Sequence, residues 1–260
     1  MAYAGLRIDV RRQKIVELLN QKGRIRVCDL SGMMHVSEVT IRNDLYVLAK
    51  SGILDRVPGG AVPLHMQNAY QPRKTEHAEE KKNIAFATAE LVHDGETLMI
   101  NSGTTTHYTA IELRKRKNLN ILTNSVAVAM ELGSYPTFRV ILLGGKINTE
   151  YAFTYGSDTL SQLSRYKADK AILAVDGVCC HAGLTTYHAE EAAINKAMID
   201  RSLQTIIVAD SSKLGRESFN NFSALSAAHC LVTNEDTKDE LLLPICSCGM
   251  SVIKAKQRNT

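Results

Sequence analysis

The 260 residues hold 31 Lys and Arg against 27 Asp and Glu, with 45% apolar and 22% charged side chains, proportions that exclude a disordered or fibrous chain and suit a globular one of two domains. No apolar run approaches the roughly 18 residues of a membrane helix, and the first residues lack the apolar stretch of a signal peptide, so no membrane partner and a cytoplasmic location are expected. The excess charge is local: residues 1–60 carry 10 Lys and Arg against 6 Asp and Glu, whereas the remaining 200 carry 21 of each. An anionic partner is therefore expected at the N-terminal end, where a modest excess gains weight once two or more copies act on one duplex.

Residues 7–19 open with Asp9 as N-cap and set Val10, Ile15, Leu18 and Leu19 along one side, a first helix that Gly23 ends. Residues 27–34 are long enough for a second short helix, and His35-Val36 is a short connection. Ser37 then caps a third helix whose Ile41, Leu45 and Leu48 fall at i, i+4 and i+7 and face inward. Its outer face carries Ser37, Glu38, Thr40, Arg42, Asn43 and Tyr46, groups that hydrogen-bond base edges and phosphates. Gly52 stops this helix. Residues 53–57 alternate as a strand, and Pro58-Gly59-Gly60 turns the chain back, leaving Arg56 near the tip of a small ribbon. This is the outline of a winged helix-turn-helix, with Arg11, Arg12, Arg24, Arg26 and Arg56 placed to touch phosphates around the reading helix. The alternative is a small three-helix bundle with a solvated basic surface.

Residues 63–80 contain two prolines and little periodicity, the composition of a linker. The expected division is 1–62 for DNA binding, 63–78 for the linker and 79–260 for a second domain. The latter begins with a helix over residues 82–93, closed by Asp94-Gly95. Short apolar runs follow at 97–100, 120–122, 139–143, 170–175, 205–209 and 229–232, each bounded by turn signals and separated by room for crossover helices. They predict an open, mostly parallel α/β sheet with helices on both faces, whose ligand lies outside the carboxyl ends of the strands.

At those ends sit the candidate binding residues. Asn101 is followed by Ser102, Gly103, Thr104, Thr105 and Thr106 and then by a helical stretch, 107–114; a glycine and hydroxyls at a helix N-terminus suit a phosphate, although capping explains part of the pattern. Thr123-Asn124 and Gly144-Gly145 follow the next two strands. Asp176-Gly177 and Asp210-Ser211-Ser212-Lys213 end two others, and an aspartate with Lys213 in one crevice could hold a sugar's hydroxyls and its phosphate, or move protons. Glu190-Glu191 opens a helix running to about Leu203, with Glu191 assigned to the pocket and Glu190 to solvent.

The six cysteines, at 28, 179, 180, 230, 246 and 248, lie mostly in apolar runs and read as reduced core thiols. Neither Cys179-Cys180-His181 nor Cys246-Ser247-Cys248 has the paired spacing of a zinc site, so no metal and no cofactor are expected. No Ser-His-Asp arrangement, Walker motif or dinucleotide fingerprint occurs. The tail from Lys254 is basic and reads as frayed.

The run from Arg12 through Gly23-Arg24-Ile25, Asp29-Leu30, Val36-Ser37-Glu38, Thr40-Ile41-Arg42-Asn43-Asp44-Leu45 and Leu48 to Gly59-Gly60-Ala61 resembles the DeoR-type bacterial transcriptional regulators. The resemblance continues in Asp94-Gly95, Ser102-Gly103-Thr104-Thr105, Thr123-Asn124, Gly144-Gly145, Gly183-Leu184-Thr185 and Ala209-Asp210-Ser211-Ser212-Lys213. It implies a winged helix joined to a sensor domain that looks like ribose-5-phosphate isomerase, and a repressor of a sugar-catabolic operon released from operator DNA by a phosphorylated sugar. The isomerase pattern continues its Asp-Gly pair with Ala-Asp-Glu, where this chain has Val178-Cys179-Cys180; two acids of that chemistry are absent, so no enzyme is expected.

Three readings therefore stand before the fold. One is a ligand-responsive regulator acting as a homo-oligomer, dimer or tetramer, on double-stranded DNA. Its sugar-phosphate pocket would comprise Ser102 to Thr106, Thr123, Asn124, Gly144, Asp176, Gly177, Glu191 and Lys213. The others are an active sugar-phosphate isomerase with an accessory DNA-binding domain and an oligomerisation module without a ligand.

Overall fold

The computed structural model describes residues 8–50, 53–63 and 77–257, which divide into two units, Met1–Arg73 and Lys74–Thr260. In the first, α1 (Ile8–Lys22), α2 (Val27–Met34) and α3 (Glu38–Lys50) surround a core of Ile15, Leu19, Leu30, Met34, Ile41, Leu45 and Leu48. The connection between α2 and α3 turns at His35, whose φ of 53° places it in the left-handed region, a conformation histidine adopts more readily than a branched residue. Ser37 caps α3, its Oγ accepting from the Thr40 amide at 3.2 Å. Gly52 lies outside the described residues.

The wing has three strands where two are predicted. β1 (Ile25–Arg26), β2 (Leu54–Val57) and β3 (Gly60–Pro63) pair in the order β1-β3-β2, all antiparallel. A two-residue strand has no periodicity to read. A Cβ on Gly60 would lie 2.0 Å from the Ile25 carbonyl oxygen, so only glycine lets β1 close on β3. Two details of the first helix differ from expectation: Asp9 lies inside α1, and Val10 is 48% exposed.

A larger difference concerns Arg11 and Arg12. Rather than reaching outward for phosphate, they donate through Nε to the two oxygens of Asp44, at 2.5 and 3.0 Å, and Asp44 is buried within α3. One carboxylate between two guanidiniums ties α1 to α3, since a buried charge persists only when paired.

In the second unit the sheet is built from β4 (Thr97–Ile100), β5 (Asn120–Thr123), β6 (Arg139–Leu142), β9 (Ala168–Ala174), β12 (Ser202–Val208), β14 (Cys230–Asn234) and β15 (Ser251–Ala255). Its order is β15-β14-β12-β9-β4-β5-β6, with every pair parallel. Side chains alternate along each strand between two cores. Leu98, Ile100, Ile121, Ile172, Ile206 and Val208 pack beneath α4 (Ala78–Glu90), α5 (Thr104–Leu113) and α6 (Val126–Leu132). Met99, Leu122, Leu173, Ile207 and Leu231 pack beneath α7 (Ser157–Leu163), α8 (Ala189–Asp200) and α9 (Asp239–Ser247). A sheet covered on both faces reads as continuous apolar runs, which is why its strands are visible in the sequence.

Several boundaries move. α4 begins at Ala78 rather than 82; α5 takes in Thr104 to Thr106; α8 ends at Asp200, so Leu203 lies in β12 and is 74% exposed. The C-terminal stretch is not frayed through Ala255: it forms edge strand β15, with Lys254 paired to Asp239 at 2.7 Å. Two small antiparallel sheets, β7 (Lys146–Asn148) with β8 (Phe153–Tyr155) and β10 (Gly177–Cys179) with β11 (Gly183–Thr186) and β13 (Asn220–Ser223), have no counterpart in the sequence reading. Their strands, of three or four residues each, are too short to carry a readable apolar alternation. The cysteines are all free; Cys179 and Cys230 are buried, but Cys28, Cys180 and Cys246 are exposed, so the core assignment holds for only part of the set.

Candidate functional site

The first unit presents one polar helix face. On α3 the side chains of Arg42 and Glu38 are 54% and 44% exposed and paired at 2.5 Å; Asn43 and Tyr46 are exposed beside them. Val39, 64% exposed, was not singled out in the sequence and offers this face a methyl pair of the kind that packs on thymine. Ser37 and Thr40 are engaged with each other, Oγ to Oγ1, at 2.9 Å, so Ser37 serves the cap first. Arg24, Arg26 and Arg56 are exposed on and beside the wing. An exposed i,i+4 ion pair contributes at most about 1 kcal/mol, so Arg42 is held only weakly by Glu38. If α3 reads duplex DNA as the sequence predicts, Arg42→Ala should weaken DNA retention by about 1–3 kcal/mol in a gel shift at fixed salt, and unchanged retention would remove α3 as the reading helix.

The second unit is organised by the point where its strand order reverses. From β4 the chain winds through β5 to β6 on one side, and from β9 through β12 and β14 to β15 on the other, so the crevice at the carboxyl ends of β4 and β9 is the expected ligand position. Asn101, fully buried after β4, spans it: its Nδ2 donates to the Ala174 carbonyl at 2.9 Å and to Asn195 Oδ1 at 3.0 Å, while its Oδ1 accepts from the Ala174 amide at 2.9 Å. Asn101 was not among the candidates; its only sequence signal is a polar residue closing an apolar run.

Gly103 is the N-cap of α5, and no side chain caps that end. The first-turn N–H groups therefore have no side-chain acceptor and point out of the helix end, the arrangement an anion requires. Ser102 donates to the Tyr151 carbonyl at 3.2 Å. A Cβ on Gly103 would come within 2.5 Å of the Ala174 Cβ, so this loop lies directly against β9.

Four candidates play a different part from the one expected. Thr106, buried, donates to the carbonyls of Asn101 and Gly103 at 3.0 Å; Thr123, also buried, donates to that of Ile100 at 2.6 Å. Both hydroxyl protons are committed to backbone, so these side chains shape the loops. Gly144 donates to Gln162 Oε1 at 3.0 Å and accepts from Thr159 at 2.8 Å, which docks α7. Gly177 is buried because a Cβ there would lie 2.3 Å from the Arg216 carbonyl oxygen; it contributes close packing and a short path for Asp176.

Across the crevice Asp176 lies 3.7 Å from Lys213 and accepts from the Tyr187 amide at 3.0 Å. Thr186 Oγ1 is 3.1 Å from Asp176 Oδ2 and 2.9 Å from Glu191 Oε2. A hydroxyl has one proton, so Thr186 shares it between the two carboxyls. Burial pushes Glu191 up to about 7, with the Thr186 hydrogen bond opposing the shift and the charge of Asp176 adding to it. Glu190 is exposed.

Behind Lys213, Asp210 caps the turn Ser211–Lys213 by accepting from the Ser212 amide at 3.1 Å. Burial would raise its carboxyl, but the Ser212 hydrogen bonds and the charges of Lys81, 3.5 Å away on α4, and Lys213 hold it below the usual range. Buried polar atoms complete the picture. Asn124 Oδ1 and Asn195 Nδ2, on side chains with no exposed surface, have no hydrogen-bond partner among the described residues. In native interiors such groups call for an explanation, and a ligand is one. Cys179 Sγ approaches His181 Nδ1 at 3.1 Å, and no group of three metal-ligating side chains occurs among the described residues.

Two family models match the chain: the DeoR-like helix-turn-helix domain over residues 11–67 and the DeoR C terminal sensor domain over residues 76–235. Among curated proteins it is similar to the HTH-type transcriptional repressor GlcR of Bacillus subtilis, 34% identical over 85% of this chain and 86% of that one. It is also similar to the glycerol-3-phosphate regulon repressor of Escherichia coli, 34% identical over 86% and 90%, and to the lactose phosphotransferase system repressor of Streptococcus mutans, 32% identical over 91% and 96%. Among solved structures, ribose 5 phosphate isomerase A of Neisseria gonorrhoeae aligns over 54% of each chain at 20% identity with a TM-score of 0.40. The chain belongs to the DeoR family of helix-turn-helix transcriptional regulators.

Proposed function

We propose that this protein represses a sugar-related operon and is released from its operator when a phosphorylated sugar enters the crevice between β4 and β9. The observation that carries the reading is the uncapped N-terminus of α5, pressed against β9 beside Asp176 and Lys213. The phosphate is held by the Ser102 to Thr105 loop through backbone N–H groups and by Lys213. The sugar hydroxyls meet Asn124, Asp176 and Glu191, groups that donate and accept as a polyol requires. On the DNA side α3 enters the major groove through Glu38, Arg42, Asn43 and Tyr46, with Arg24, Arg26 and Arg56 on phosphates. Few cations per chain means that useful affinity needs a dimer or tetramer. No described helix is long and apolar enough to cross a membrane, and an operator-bound regulator works in the cytoplasm.

Regulation is favoured over isomerisation because the hairpin that follows Asp176 carries Val178, buried Cys179 and exposed Cys180, none of which moves protons as carboxylates do. Thermal-shift screening against a panel of sugar phosphates, followed by gel-shift release with the compound that stabilises, tests the reading; stabilisation without release, or turnover of the compound, would replace it. Gly103→Ala forces the loop away from Ala174 and should raise the sugar-phosphate concentration for half-release at least about tenfold, a cost of about 1.4 kcal/mol. An unchanged half-release concentration would place the phosphate elsewhere.

A further inference from the structure

One group of side chains between the phosphate loop and the acidic cluster is not used by that reading. The segment Thr186-Tyr187-His188 runs from β11 into α8, and its backbone is tied to the crevice because the Tyr187 amide donates to Asp176. The Tyr187 ring is nevertheless 65% exposed, and its neighbour Phe219, at a ring-centroid distance of 6.4 Å, is 83% exposed. Asn220 Nδ2 donates to the Tyr187 carbonyl at 2.7 Å and holds the two aromatic segments together. On the other side His188 stands edge-on to Tyr187 at 5.2 Å and to Tyr151 at 4.7 Å. Tyr151 is the residue whose carbonyl accepts from Ser102 of the phosphate loop. An aromatic row, Tyr151, His188, Tyr187 and Phe219, thus leads from the phosphate loop past the hydroxyl-binding carboxyls.

Two further features set this row apart from ordinary packing. His188 Nε2 is buried among these rings with no hydrogen-bond partner among the described residues, although an imidazole nitrogen without a partner loses its hydration for nothing in return. Ala152, next to Tyr151, is held at φ 52°, a left-handed conformation disfavoured for a residue with a Cβ, in the turn that presents Tyr151. Large aromatics left in water beside a set of convergent polar groups are the usual make-up of a small-molecule subsite: an apolar wall with a few placed hydrogen-bonding partners. The C–H face of a sugar ring suits the wall, and its hydroxyls suit Thr186, Asp176, Glu191 and the open nitrogen of His188.

We infer that the Tyr187, His188 and Phe219 side chains form a ring-stacking subsite that selects a cyclic sugar phosphate over an acyclic three-carbon phosphate, with His188 Nε2 hydrogen-bonded to a ring hydroxyl. The inference rests on the sugar-phosphate reading above and specifies the effector class. An acyclic three-carbon phosphate has no ring to stack on that wall.

The test is isothermal titration of the full-length protein with glucose 6-phosphate, ribose 5-phosphate, glycerol 3-phosphate and inorganic phosphate, for the natural chain and for Tyr187→Ala, Tyr187→Phe and His188→Phe. The expected result is tighter binding of a cyclic compound by the natural chain. Tyr187→Ala should weaken that compound about five- to tenfold more than glycerol 3-phosphate, the size of one aromatic contact. Tyr187→Phe, which keeps the ring, should restore it, and His188→Phe, which keeps packing but removes the nitrogen, should weaken the cyclic compound alone. Equal weakening of cyclic and three-carbon phosphates, or none, overturns the subsite while leaving the phosphate loop standing; a change of oligomeric state on Tyr187→Ala with affinities unchanged assigns the exposed rings to a second copy instead. Failure of the natural chain to bind any sugar phosphate overturns the functional reading and the subsite together.

Discussion

Asp44→Ala should abolish operator retention without touching a single base-contacting side chain. Asp44 is buried and receives Arg11 and Arg12 at 2.5 and 3.0 Å; removing it leaves two guanidiniums, 12% and 24% exposed, facing one another beneath α3. Breaking a buried pair from one side costs up to about 3–5 kcal/mol, because the groups left behind lose the counter-charge they share. A unit of this length has a total stability of only about 3–9 kcal/mol, so the loss removes much or all of it. Circular dichroism should show partial helix loss at 25 °C and a gel shift no retained complex, while a sensor-unit response to ligand survives. Arg11→Ala and Arg12→Ala should each cost less, since each leaves one cation on the carboxylate. If Asp44→Ala folds with natural stability and merely binds DNA more weakly, Arg11 and Arg12 are phosphate contacts after all.

Glu191 should impose a pH dependence on the stability of the second unit. Its carboxyl is raised by burial to about 7 from an ordinary value of 4.5. Between those values the folded chain keeps the proton that the unfolded chain has released. The unfolded state binds fewer protons, so stability falls as pH rises through this window, by up to about 3 kcal/mol in total, and levels off above it. Glu191→Gln retains a donor to Thr186 and carries no titratable proton, so its urea midpoint should change less between pH 5 and pH 8 than that of the natural protein. Equal changes in both would mean that Glu191 titrates as an ordinary surface acid.

Much of the architecture is legible in one dimension. Ile41, Leu45 and Leu48 mark the buried side of α3 because a helix repeats every 3.6 residues, and a serine at its start marks the cap because Oγ can take a first-turn amide. Five of the six apolar runs mark buried strands because a parallel sheet clothed on both faces tolerates no polar alternation; the sixth, β6, lies at the sheet edge and its residues are exposed or half-buried. The polar residues just beyond those runs were legible as a set, since strand ends in such sheets face the ligand. What was not legible is which of them turn inward. Thr104, Thr105 and Thr106 are identical as letters, yet Thr106 closes on the carbonyls of Asn101 and Gly103, a consequence of how the loop meets the helix. Asn101 looked like a loop residue and proves to be the staple between β4 and β9.

Sequence alone determined the winged helix-turn-helix, the parallel α/β domain and the family, because each rests on local spacing or on residues close together in the chain. Only the tertiary structure decided that Arg11 and Arg12 face Asp44 across 33 and 32 positions, that the strand order reverses between β4 and β9, and that Asp176, Thr186, Glu191 and Lys213 share one crevice. It alone set the exposed rings of Tyr187 and Phe219 beside them. The physical reason is common to all: long-range pairing, burial and a raised carboxyl depend on which neighbours the fold supplies, and no periodicity in the chain encodes a neighbour a hundred residues away.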